Sequence, residues 1–129
     1  FLLLTKNLLI FLDPLILNGL SSLYVLGLGS NNIESLNEKT FSNLFPNLIE
    51  INLHNNKIRE IEKNSFKNLP SLHYLVLSNN QLESNTHGFD SLTIFKWFNI
   101  TYNNLKSIKS FFFNNSKKIH LIDLSHNSI

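Results

Sequence analysis

The sequence predicts an α/β repeat solenoid: short parallel strands standing side by side, with irregular or short helical arms returning behind them. Three observations lead there. Asparagine recurs at positions 7, 31, 56, 80, 103 and 127, in steps of 24, 25, 24, 23 and 24 residues. Ahead of each asparagine, apolar residues stand at uneven intervals, matching neither a helix stripe nor a strand alternation throughout. Behind it, a phenylalanine or leucine returns at a nearly constant distance.

Taken in order, the first copy is partial: Leu2, Leu4, Asn7, Leu9 and Leu12. Leu23, Leu26, Leu28, Asn31 and Ile33 form the next copy, and Leu48, Ile51, Leu53, Asn56 and Ile58 the third. Leu72, Leu75, Leu77, Asn80 and Leu82 follow, then Phe95, Phe98, Ile100, Asn103 and Leu105. Ile119, Ile122, Leu124, Asn127 and Ile129 end the series. In each copy the middle pair, two residues apart, is expected on a short strand with both side chains pointing inward. The chain then bends, and the later apolar residue reaches the same interior from the returning arm. One such wedge buries too little alone, so the copies must stack. Asparagine sits at the bend, where its amide can both donate to and accept from backbone groups that have left the ladder. That makes the six asparagines scaffold.

The arms carry the second fixed residue. Phe41, Phe66, Phe89 and Phe113 fall four or five residues after Leu36, Ile61, Asn85 and Ile108, and Leu17 takes this place in the first copy. Leu20, Leu44, Leu69 and Leu92 come three residues later. A buried aromatic spine behind the sheet is the expected arrangement, rather than an aromatic box for a ligand. Asn85 and Ser116 stand where apolar residues are expected, so their arms should pack more loosely.

The pattern L-x-x-L-x-L-x-x-N-x-L resembles the leucine-rich repeat over essentially the whole chain. With phenylalanine on the returning arm, and phrases such as LIDLSHNSI and LVLSNNQLES, it is similar to the typical animal extracellular repeat of Toll-like receptors and Slit-like proteins. The resemblance implies a leucine-rich repeat arc with its parallel sheet on the concave face. Residues 1–129 would then be one solenoid segment of about six repeats, partial at both ends. It shows neither of the cysteine-bearing caps usual in such ectodomains, and an internal piece of a longer solenoid is expected.

Composition narrows the chemistry. Net charge is +2 and the charges are scattered, so no basic stripe marks a nucleic-acid surface. Cysteine is absent, which removes disulfides and thiolate chemistry. The apolar opening is broken by Lys6, Asn7, Asp13, Pro14 and Asn18, which argues against a membrane span. No phosphate-binding, zinc-protease or nucleophile-elbow motif occurs. His120, Asp123 and His126 suggest a metal, but residues six apart on a strand lie roughly 20 Å from each other. His54 and Ser78 occupy equivalent places in neighbouring coils, yet a triad needs an acid behind the histidine. Glu50 is roughly 13 Å back along the strand, and Asp123 is three coils away. No enzyme, metal or cofactor is expected.

The concave face is left. One row across the coils reads Val25, Glu50, Tyr74, Trp97, Leu121; the next Gly27, Asn52, Val76, Asn99, Asp123; a third Gly29, His54, Ser78, Thr101, Ser125. Ser30, Asn55, Asn79, Tyr102 and His126 flank them. Tyr74 and Trp97 should be neighbours, with Tyr102 farther along the coil of Trp97, and exposed aromatics grouped in this way suit a protein-binding hot spot. Glu50, Asn52, His54, Tyr74, Trp97, Tyr102 and Asp123 are therefore the candidate binding residues. His54, His73, His120 and His126 lie on or beside this face and offer pH-dependent binding, against idle solvated rings.

Two glycosylation sequons occur, at Asn99 and Asn114. A chain this rich in Asn, Ser and Thr reaches that number by chance. A glycan on Asn99 would stand beside Trp97; one on Asn114 would sit on the returning arm.

The reading is a non-catalytic recognition module, part of a receptor-like ectodomain at the cell surface, in an endosome or outside the cell. It would bind a protein or other macromolecule, alone or as a dimer or larger assembly; a nucleic acid is disfavoured, and contact with membrane would come only through flanking segments. The alternatives are a structural or adhesion repeat, and an intracellular arm that recruits substrates.

Overall fold

The computed structural model describes residues 1–41, 45–84, 87–92, 96–108 and 119–129. Leu44, Asn85, Phe95, Phe113, Asn114 and Ser116 lie outside them. The strands are β1 (Leu2–Leu3), β2 (Val25–Gly27), β3 (Ser35–Leu36), β4 (Glu50–Asn52), β5 (Glu60–Ile61), β6 (Tyr74–Val76), β7 (Trp97–Asn99) and β8 (Leu121–Asp123). Six of them form one sheet in the order β1-β2-β4-β6-β7-β8, every pair parallel and in repeat register. The middle residues Leu26, Ile51, Leu75, Phe98 and Ile122 are aligned. The first four are fully buried. The chain is a parallel-strand solenoid with the sheet on its concave side.

Beyond each strand the lateral bonding continues around the bend. The N–H groups of Leu28, Leu53, Leu77 and Ile100 donate to Asn52, Val76, Asn99 and Asp123 carbonyls of the next coil at 2.7–3.0 Å. Two residues later the backbone turns left-handed in every coil, at Lys6, Ser30, Asn55, Asn79, Tyr102 and His126, with φ between 53° and 59°. None of these is glycine, and the conformation costs an ordinary residue roughly 1–2 kcal/mol. It is held because the same residue still bonds the next coil, as Asn55 N–H does with the Ser78 carbonyl at 2.9 Å.

That reversal aims the following asparagine inward. Asn56 Nδ2 donates to the carbonyls of Leu53 in its own coil and Leu28 in the previous one, both at 3.0 Å, while its Oδ1 accepts the Ile33 N–H at 3.0 Å. Asn31, Asn80, Asn103 and Asn127 repeat this pattern. Each amide thus stitches its coil to the one before. Asn7, in the first coil, bonds only locally, to the Leu4 and Thr5 carbonyls.

The arms are less regular. Helical structure among the described residues is two 3-10 turns, Pro14–Leu17 and Gly88–Ser91. The first opens with Asp13, whose carboxylate accepts the Leu15 N–H at 2.9 Å. Strands β3 and β5 pair in parallel as a second, two-stranded sheet. Phe41 stacks on Phe66 at 5.8 Å between ring centroids, and Phe66 on Phe89 at 6.4 Å. Phe89 meets Phe98 of the sheet edge-on at 5.1 Å. Leu17 takes the aromatic position in its coil and is buried. The spine is core.

Candidate binding face

With the inward positions filled by leucine, isoleucine and phenylalanine, the alternate residues of each strand must stand on the open face of the sheet. The register sets Glu50 beside Tyr74, Tyr74 beside Trp97, and Trp97 beside Leu121. The next row runs Asn52, Val76, Asn99, Asp123. Trp97 is 36% and Leu121 55% exposed, unusual values for large apolar groups set in a sheet, and Tyr102, at the bend beyond β7, is 51% exposed. Glu50, Asn52, His54, Tyr74, Asn99 and Asp123 are half-buried. Tyr74 and Trp97 are strand neighbours, but among the described residues the ring contact of Tyr74 is with His73, at 6.5 Å and 43°. Among the described residues Trp97 makes no aromatic ring contact.

His54 does not turn toward Ser78. Its ring lies over Gly29 of the previous coil, where an added Cβ would stand 2.1 Å from His54 Cε1. Its Nδ1 is 2.7 Å from Asn52 Oδ1, which also accepts the His54 backbone N–H at 3.1 Å. Because Asn52 Oδ1 can only accept, Nδ1 carries the proton and Nε2 is the atom left for a partner.

The same residue-to-residue-plus-two clasp recurs twice. Asn99 Oδ1 accepts the Thr101 N–H at 3.0 Å and its hydroxyl at 2.9 Å. Asp123 accepts the Ser125 N–H at 3.0 Å and its hydroxyl at 2.5 Å. Those two bonds, hydroxyl first, hold the Asp123 carboxyl below the usual carboxylate range, and His126 lowers it a little further.

Tyr102 and His126, both at the left-handed bend, stack with ring centroids 4.1 Å apart and planes 6° from parallel. The repeat register alone sets these two positions in one row, but their stacking follows from the backbone reversal, and only the asparagines at 55 and 79 hint at left-handed geometry. Among the described residues no three metal-binding side chains converge. A cavity of about 660 Å³ opens away from this face, beside β5, lined by Arg59, Glu60, Ile61, Glu62, Lys63, Glu83 and His87. Its lining mixes charges of both signs.

An extended, rigid sheet face with exposed aromatic and polar rows is the property of a repeat solenoid. Residues 21–82 and 46–103 match the leucine rich repeat family, and the chain belongs to it. Its repeats are of the animal extracellular type. The chain is 31% identical over 90% of its length to the leucine-rich repeat-containing G-protein coupled receptor 5 of Xenopus tropicalis. It is 31% identical over 84% of its length to Toll-like receptor 9 of Mus musculus, and 38% identical over 41% to asporin of Bos taurus. It spans only 15%, 11% and 15% of those proteins.

Proposed function

We propose that this chain is a non-catalytic recognition segment of a receptor ectodomain, working outside the cell or in the lumen of an endosome, and that its concave face binds a protein. The 129 residues act as one solenoid segment within that ectodomain. The observation that carries the reading is Trp97: a tryptophan standing open on β7, beside Tyr74, on a sheet fixed from behind by buried leucines and asparagines. A rigid aromatic on a preorganised surface loses little entropy on binding, and such residues dominate interface energetics. Glu50, Asn52, His54 and Asp123 supply the polar surround, and Tyr102 a second aromatic on the flank. Relatives named as receptors support the assignment to a receptor.

The test is alanine at Tyr74 and at Trp97 in the parent protein, with affinity for its captured protein ligand measured. A loss of about thirtyfold or more at Trp97 is expected of a hot spot. Unchanged affinity in both variants would move the site off this face. Mass spectrometry of Asn99 is the companion measurement, because a glycan there would cover the Trp97 patch and push binding to the edges of the solenoid.

A further inference from the structure

We propose that His73, Lys96 and His120 form a cationic row that receives the carboxylates of an extended acidic segment of the protein partner. This rests on the reading that the concave face binds protein, and it names the chemistry of what binds.

The three residues immediately precede Tyr74, Trp97 and Leu121, which are in register on β6, β7 and β8. They therefore stand one per coil, at the strand spacing of about 4.8 Å. The backbone locks the row. Lys96 and Trp97 N–H groups both donate to the His73 carbonyl, at 2.9 and 3.1 Å, and the Leu121 N–H donates to the Lys96 carbonyl at 3.0 Å. Lys96 and His120 are exposed and His73 half-buried. His73 Nδ1 lies 2.6 Å from the Ser71 carbonyl. That oxygen only accepts, so Nδ1 donates and Nε2 is the ring atom left for a partner.

Among the described residues no acid pairs with this row: the one ion pair is Lys67 with Glu38, on the arms. The charged groups facing the row on the sheet are Glu50 and Asp123. Glu50 stands beside Tyr74 on the side away from Trp97, and Asp123 is occupied by the Ser125 N–H and hydroxyl. Imidazole gains its charge between pH 5 and 8. A carboxylate laid across the row would meet His73 and His120 on either side of Lys96. A long polyanion fits less well, because it would have to run past Glu50 and Asp123. A short acidic segment places one or two carboxylates on the row and an apolar side chain on Trp97.

The parent protein is titrated by calorimetry with a twelve-residue peptide rich in Glu with one central Leu, and with its Gln counterpart, at pH 7.5 and pH 5.5, and Trp97→Ala reports whether binding is at this face. The expected result is saturable binding of the Glu peptide that Trp97→Ala weakens, tightening about five- to tenfold at the lower pH and weakening at least as much in Lys96→Glu. His73→Gln with His120→Gln should flatten the pH dependence while leaving binding at pH 7.5 in place. Equal binding of the Glu and Gln peptides would overturn the acidic partner and leave protein binding at this face standing. Tighter binding of a single-stranded oligonucleotide than of the Glu peptide would overturn it in favour of a polyanion. No binding of either peptide, or binding that Trp97→Ala and Lys96→Glu leave unchanged, would count against the cationic row and the face together.

Discussion

The coils built on β2 and β7 use one scaffold to make opposite surfaces. Inward, Leu26, Leu28 and Asn31 correspond to Phe98, Ile100 and Asn103; all six are buried, and the two asparagines make the same bonds to their preceding coils. Outward, β2 and its continuation offer Val25, Gly27 and Gly29, where β7 offers Trp97, Asn99 and Thr101. Over the glycines the neighbours lean in. A Cβ on Gly27 would stand 2.9 Å from Leu3 Cδ2, and one on Gly29 would meet the His54 ring. Over β7 Asn99 and Thr101 clasp each other, and Trp97 reaches solvent. The difference teaches that burial and exposure alternate along the same strands, so substitutions on the two faces should divide cleanly.

The largest effect belongs to the scaffold. Asn80→Ala removes a buried amide that donates to the Leu53 and Leu77 carbonyls at 3.0 Å and accepts the Ile58 N–H at 3.0 Å. The Leu53 and Leu77 carbonyls keep the amides of Asn56 and Asn103, so the Ile58 N–H is the group left without a partner, and a loss of about 1–3 kcal/mol is expected in urea unfolding. Asn7→Ala is the internal control: that amide is exposed and bonds only nearby carbonyls, and the cost should stay below about 1 kcal/mol. Equal losses at the two sites would mean that stitching between coils contributes nothing.

Gly29→Ala tests the shallow coil. The new methyl would overlap the His54 ring, which is the end of a movable side chain, so the ring yields before the backbone does. The expected cost is about 1 kcal/mol. The diagnostic change is the His54 ring signal in NMR, as Nδ1 leaves Asn52 Oδ1. An unmoved ring would show that the sheet itself had shifted. Trp97→Ala tests the deep-relief coil: the ring is 36% exposed, so losing its covered part should cost about 1 kcal/mol, well below a core aromatic. A loss above about 3 kcal/mol would make Trp97 part of the core and remove it from the proposed binding face.

Much of this was legible in the sequence because burial in a solenoid is periodic. The asparagines at 31, 56, 80 and 103, the paired strand residues and Phe41, Phe66 and Phe89 all follow from a repeat that has to bury the same wedge in each coil. The rows of the open face followed too, because parallel register copies sequence position into space. What did not follow was where each outward side chain leans. His54 and Ser78 are equivalent by position, but the missing side chain at Gly29 drew the imidazole the other way. The Tyr102–His126 stack depends on a left-handed residue in each coil, and Lys, Ser, Tyr and His give no local sign of that conformation. Such details are set by neighbours one coil away, which a repeat pattern averages out.

The smallest effect isolates one clasp. In the β8 coil, Ser125 holds the Asp123 carboxyl below its ordinary value, mainly through its hydroxyl and then through its N–H. A carboxyl lowered by folding adds stability above its unfolded pKa and loses it as the pH falls through the folded one. Ser125→Ala deletes the larger cause and keeps the N–H. The Asp123 titration followed by carboxyl NMR should therefore move up toward the usual carboxylate range, without reaching it. Because the group faces water, global stability should scarcely respond at any pH. The equivalent Thr101→Ala in the β7 coil has no charge to release, since Asn99 is neutral, and should show no acid-dependent change. If the Asp123 titration stays put, the hydroxyl bond is not formed in solution, and the two coils differ more than their shared geometry implies.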